Sequence, residues 1–150
     1  MAVLDVADLR ARIAAAVEAL AAPSAWKESP NPALYPRDPG RWAHLSFAVT
    51  TPRTLFRSPV ESSRLRRGTE GGLVDTTVLV RWVFRLRGDA MVADYDAALD
   101  AELVLMKALL GVALTDLHLE LVSADRPISP EGEWLIGQVT LTAQHRLSLA

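Results

Sequence analysis

The chain has 150 residues, half of them hydrophobic and 23% charged, with a formal net charge of −2 and no cysteine. That length suits one domain with a sizeable core, the composition argues against disorder, and the small charge argues against steering the whole molecule to a polyanion or an anionic membrane. Without cysteine there are no disulfides, no thiolate zinc sites and no thiol nucleophiles, which fits a reducing compartment.

The opening stretch "MAVLDVADLRARIAAAVEALAAPSAW" spaces its charges helically and has no basic start before an apolar core. No leader peptide is therefore expected, and no run of about 18 apolar residues predicts a membrane span. The expectation is a soluble protein made in the cytoplasm. Val6, Leu9, Ile13, Val17 and Leu20 recur three or four apart, which predicts an amphipathic helix over 5–21 with Asp5 as its N-cap and Pro23 as its stop. Pro30, Pro32, Pro36 and Pro39 then make 24–41 a Pro-rich irregular arm rather than a strand, with Trp26, Leu34 and Tyr35 available to pin it.

Alternation begins at Trp42: Ala43, Leu45, Phe47 and Val49 share one side, predicting a strand over 42–50. Residues 53–72 hold Arg53, Arg57, Arg64, Arg66 and Arg67, together with Pro59 and a glycine pair, and read as a basic excursion loop. The longest alternation follows over 73–87. Val74, Thr76, Val78, Val80, Trp82, Phe84 and Leu86 lie on one side, with Arg81 and Arg85 on the other.

In Arg87-Gly88-Asp89 the chain turns, and Asp94 is expected to cap a helix over 94–110. Its predicted apolar stripe is Tyr95, Ala98, Leu99, Leu103, Met106, Leu109 and Leu110, with Gly111 at its end. Two strands close the chain, over 116–123 and 133–146, the second with a bulge predicted at Gly137 where the apolar parity changes. The expected architecture is a single α+β domain over 1–150. One mixed or antiparallel sheet of four to five strands carries two helices on one face.

Chemical motifs are few. The Arg-Gly-Asp tripeptide is a weak adhesion signal and reads better as turn chemistry. His44, His118 and His145 lack the local spacing of a metal site, and His44 and His118 lie opposite the main apolar faces, as solvated strand residues do. Neither G-x-S-x-G nor a phosphate-binding glycine pattern occurs. The acidic residues Asp94, Asp96, Asp100 and Glu102 fit helix capping and solvation better than a cation site. The arginines of the excursion fit three readings: contact with a protein neighbour, contact with DNA phosphates, or a solvated loop. Because two helices cover only one side of such a sheet, the remaining side and edges point to self-association, and a repeated head-to-tail contact closes into a ring.

The order helix, strand "HLSFAVT", basic excursion, long strand "TVLVRWVFRLRGD", helix "DYDAALDAELVLMKALL" and closing strand pair resembles the tail terminator proteins of long-tailed bacteriophages and gene transfer agents. The likeness runs over about 5–147 and rests on element order and on the "VRW.FRL…DYD.AL..E" texture. It implies a structural subunit, not an enzyme, with no cofactor and no metal. Such subunits form a hexameric ring that caps the tail tube, stops its polymerisation and offers the head-tail joining surface. The implied partners are further copies of the chain, the tail tube protein and a head-tail connector or neck protein, with DNA passing through the lumen without sequence-specific binding and no membrane. The implied location is the tail or neck of a virion or phage-like particle assembled in the bacterial cytoplasm. Arg53, Arg57, Arg64, Arg66, Arg67, Arg81 and Arg85 are the candidate assembly contacts. A head-tail connector or tail-completion subunit, and a small ligand-binding α+β domain, are the alternatives.

Overall fold

A computed structural model describes residues 3–31, 44–57 and 72–148. The elements follow in the order α1 (Val6–Glu18), β1 (Ala25–Glu28), β2 (His44–Phe56), β3 (Leu73–Arg85), α2 (Met91–Leu109), a 3-10 turn (Val112–Leu114), β4 (His118–Asp125) and β5 (Trp134–Arg146). The strands form one five-stranded sheet in the order β1-β2-β3-β5-β4. The β1–β2 pair is parallel and the other three are antiparallel. This is the mixed α+β sheet expected, with both helices on one face.

Period-two alternation explains why that face is dry. Phe47 and Val49 of β2, Val78, Val80 and Trp82 of β3, and Leu135, Val139, Leu141 and Ala143 of β5 all point to the helices. There they meet Leu9, Ile13 and Val17 of α1 and Ala98, Ala101, Leu105 and Leu109 of α2. Each large side chain removed from water contributes roughly 1.5–3 kcal/mol. Trp82 sits at the centre, with its ring centroid 5.8 Å from that of Trp26 and 6.4 Å from that of Phe84.

Several boundaries differ from the pattern reading, each for a packing reason. The proline-rich arm contains a strand after all: Trp26 is fully buried against Trp82, and that burial draws Ala25–Glu28 alongside β2 despite the prolines that follow. Residues 32–41 of the arm, with Leu34 and Tyr35, and Trp42 and Ala43 at the start of the expected strand lie outside the described residues. β2 runs past 50 to Phe56, so Arg53 belongs to a strand and not to the excursion. The register against β3 slips by one residue between Thr50 and Arg53, which accommodates Pro52, a residue with no N–H to give to a ladder. α1 stops at Glu18, short of 21. Asp5 makes no side-chain cap bond to it; its carboxylate instead accepts from Ser148 N–H at 3.3 Å.

α2 starts at Met91, with Ala90 at its N-cap, so Asp94 lies inside the first turn instead of capping it. Its inward side is also rotated from the expected stripe: Asp94, Ala98, Ala101, Glu102, Leu105 and Leu109 are buried, while Leu103 and Leu110 are exposed. Two arginines make this possible. Arg87 donates from its backbone N–H and Nε to Asp94 Oδ2 at 2.8 and 2.9 Å, and from Nη2 to Oδ1 at 2.8 Å. Arg126 donates from Nε to Glu102 Oε2 at 2.8 Å and from Nη2 to Oε1 at 2.6 Å. Bidentate pairing satisfies carboxylates that burial alone would penalise. Asp94 and Glu102 therefore hold the fold instead of capping or facing water.

β4 spans 118–125, two residues later than expected at each end, and its extra residue is Val122, where the β4–β5 register shifts. No bulge occurs at Gly137: the β3–β5 ladder runs unbroken from Leu73↔Arg146 to Arg85↔Trp134. The parity change arises because Trp134 and Ile136 face away from the helices and Leu135 faces them. Gly137 is needed for a different reason. A Cβ there would lie 2.2 Å from Cε2 and Nε1 of Trp82, so the indole lies directly over the glycine.

Candidate assembly surface

The sheet face without helices is built by the alternate residues of the same strands. Asp75, Thr77, Leu79 and Arg81 of β3 stand in register with Gln144, Thr142, Thr140 and Gln138 of β5. Arg81 lies on this face, as the alternation predicted, and donates from Nε to Gln138 Oε1 at 2.8 Å. Arg85 ends β3, exposed, in register with Trp134. The face is more polar than the sequence led one to expect, because Ala48 and Val83 are buried and the remaining positions are largely threonine, glutamine and charged side chains.

At one end of this face Arg57 meets Asp75, Nη1 to Oδ2 at 3.4 Å. Gln144, with its amide oxygen turned toward Arg57, accepts from Nε at 3.0 Å and also from Nη2. These residues, with His118, Glu120 and Thr142, line an open cleft of about 350 Å³. Arg53 lies on the same exposed tip of the β2–β3 ribbon, beside Leu55 and Phe56, both about half exposed. Arg64, Arg66 and Arg67 fall outside the described residues. Of the seven candidate arginines the structure thus brings Arg53 and Arg57 to the ribbon tip and sets Arg81 and Arg85 along β3.

The two edges of the sheet differ. β1 pairs only with His44–Phe47, so among the described residues no strand pairs with β2 on that side beyond Phe47. A second cleft, of about 470 Å³, lies there, lined by Arg10, Glu28, Ser29, Ala48, Val49 and Thr50. Arg10 bridges it, donating from Nη1 to Glu28 Oε2 at 3.1 Å and reaching Val49 O at 3.5 Å. At the other edge β4 pairs only with β5 and carries exposed Val122, followed by exposed Ile128. Arg12 of α1 ties down the start of this edge through Asp116, Nη2 to Oδ1 at 2.6 Å, which raises the guanidinium pKa and lowers that of the carboxyl.

Of the three histidines, the two whose side chains are described do not converge. His118 is exposed in the 350 Å³ cleft, the side chain of His44 lies outside the described residues, and His145 is buried. His145 Nδ1 lies 2.7 Å from Leu4 O, and a carbonyl can only accept, so Nδ1 carries the proton. In the neutral ring Nε2 then accepts from Thr76 Oγ1 at 2.7 Å, and Thr76 Oγ1 lies 3.0 Å from Thr54 Oγ1. The chain Thr54–Thr76–His145–Leu4 fixes the N-terminal segment to β5, where Leu4 N–H also donates to Arg146 O at 2.7 Å. Among the described residues no three His, Asp or Glu side chains gather as a metal site would need, and no helix is long and apolar enough to cross a membrane.

Sequence reasoning missed the Arg126–Glu102 and Arg10–Glu28 pairs because their members stand 24 and 18 residues apart and carry no local spacing signal. Comparison with known protein families and with curated proteins gives no match to this chain.

Proposed function

We propose that this chain is the structural subunit of a tail terminator ring, which caps a tail tube, stops its growth and presents the surface for head joining. The observation that carries this reading is a sheet whose helices shield one face and whose two edge strands, β1 and β4, are unlike each other and pair with no further strand among the described residues. A contact between unlike edges is head-to-tail, and repeated with a closing rotation it produces a ring. The four-residue β1 and the irregularity at Val122 confine such pairing to a short, defined stretch, which favours a closed assembly over an endless sheet. The order of helices and long strands also agrees with the order on which the resemblance to tail terminators rests.

In this reading six copies make the ring, with the tube protein on one side and a connector or neck protein on the other. DNA passes through the lumen without sequence-specific contact. Arg53 and Arg57 at the ribbon tip, together with Arg64, Arg66 and Arg67, touch a neighbouring copy or the tube, and Arg81 and Arg85 line the helix-free face. The subunit works in the neck of a virion or phage-like particle, without turnover and without a cofactor.

The test is polymerisation of the particle's tube protein with and without this chain. The expected result is that the chain binds tube ends and halts growth, and that replacing Arg64, Arg66 and Arg67 by Ala leaves a folded protein unable to do so. Tubes that grow unchanged overturn the reading. If the chain is then found in the neck, it is a connector; if instead a small molecule saturates the 350 Å³ cleft, it is a ligand-binding domain.

A further inference from the structure

α2 distributes its residues the wrong way round for a helix that ends its packing at one face. Its carboxylates Asp94 and Glu102 are buried, whereas Val92 is 79% exposed, Leu103 47% and Leu110 59%. Val92, Asp96, Leu99, Leu103, Met106 and Leu110 follow at intervals of four, three, four, three and four, the spacing of a helix-pairing seam. At about 100° per residue the seam is centred at least about 120° round α2 from Ala98, Ala101 and Leu105, which face the sheet; it flanks the core side, and Met106 packs partly against the core. An apolar flank that continues beyond the core-facing side of a helix and stays exposed at Val92, Leu103 and Leu110 is a surface for a partner to cover.

We propose that a second copy of this chain covers the seam, the two α2 helices packing antiparallel about a two-fold axis. The charges select the occupant and the register. When Leu103 of each copy faces Met106 of the other, Leu99 faces Leu110 and all four layers are apolar. In that register Asp100 of each copy stands beside Lys107 of the other, giving two identical ion pairs across the seam, and both residues are exposed. Asp96 falls opposite Ala113, beyond the end of the partner helix at Leu109, and keeps its water. The next register, one heptad away, buries Asp96 against Met106 and sets Asp100 against its own copy. A parallel pair puts Lys107 near Glu102, which Arg126 already holds. The antiparallel register alone pairs Asp100 with Lys107 and leaves Asp96, the remaining seam charge, in water.

This pairing is independent of the tail reading, because it uses no residue of the sheet edges or of the ribbon tip. It makes the free chain a two-fold dimer, which parts when the copies enter a ring with unlike faces.

Sedimentation equilibrium of the free chain over a concentration series tests it, and the expected mass is twice 16.3 kDa. Leu103→Asp should give a monomer with an unchanged far-ultraviolet spectrum, since Leu103 is outside the core. Asp100→Lys and Lys107→Asp, made singly, should each weaken the dimer roughly tenfold by placing like charges together twice, more at low salt than at high. The double swap should restore it. A chain monomeric at every concentration overturns the proposal, as does an assembly of any size indifferent to Leu103→Asp, or single swaps that the double swap fails to rescue. Tube capping, measured separately, is expected to persist in the Asp100/Lys107 variants.

Discussion

Replacing Gly137 by alanine tests the centre of the core with a single methyl group. The new Cβ would stand 2.2 Å from Cε2 and Nε1 of Trp82 and 2.6 Å from Cζ2, where ordinary contact begins at 3.4 Å, so one of the two must move by more than 1 Å. Trp82 is fully buried, with Trp26 and Phe84 against it, and Gly137 sits in an unbroken ladder between Leu73 and Arg85 of β3. Neither has room. Overpacking of a closed core costs about 1–3 kcal/mol, and this site belongs at the upper end. A domain of this size loses about 2–4 °C per kcal/mol, so the melting temperature should fall by roughly 6–12 °C. Urea unfolding followed by tryptophan fluorescence and by circular dichroism gives the same quantity as a shifted midpoint. The partner variant is Trp82→Phe, which removes the clashing part of the ring. Because Trp82 Nε1 has no hydrogen-bond partner, that change deletes volume without orphaning an acceptor. The double variant should be less destabilised than the two single effects combined, with a coupling of about 0.5–3 kcal/mol. A Gly137→Ala protein within about 0.5 kcal/mol of the original, the range of an ordinary surface change, would refute the stacking of Trp82 on Gly137.

Three further outcomes are expected. Arg126→Ala strands the carboxylate of Glu102, whose side chain is 3% exposed; the loss should be about 3–5 kcal/mol, and Arg126→Ala with Glu102→Leu should regain much of it, as read by urea midpoints. Arg87, through its side-chain bonds above all, holds the Asp94 carboxyl at about 2, below its ordinary 3.8. A depressed carboxylate stabilises the fold above its unfolded value and loses that contribution as pH falls toward the folded one. Stability should therefore decline between about pH 4 and pH 2, and Asp94→Asn should flatten that slope in thermal melts across the window. Thr76→Val removes the hydroxyl between His145 and Thr54, leaving a buried ring nitrogen unpaired at a cost of about 1–3 kcal/mol; hydrogen exchange at Leu4 N–H should quicken as the N-terminal segment loosens.

Much of the architecture was legible because alternation is a strong local signal. Val74 to Leu86 kept its predicted sides, and the helices fell within a few residues of their spacing. What misled was chemistry acting across the chain. Trp26 makes a strand of a segment whose prolines argue against one, since its burial beside Trp82 outweighs local propensity. Arg126 lets Glu102 turn inward, which rotates α2 and leaves Leu103 outside; no helical periodicity contains that arginine. The parity change at Gly137 resembled a bulge, but the indole above it is the cause, and nothing within a few residues of Gly137 signals Trp82. Of the candidate arginines, Arg81 was placed correctly by alternation, while Arg53 was assigned to a loop because Pro52 reads as a break and in fact occupies a register slip.

The proposed ring is tested most directly by imaging. Cryo-electron microscopy of particles carrying this chain should show it as a closed ring of six at the head-proximal end of the tube, neighbours joined through the β1–β2 edge of one copy and the β4 edge of the next. A particle whose tube end holds no such ring, or a ring whose copies meet through neither edge, contradicts it.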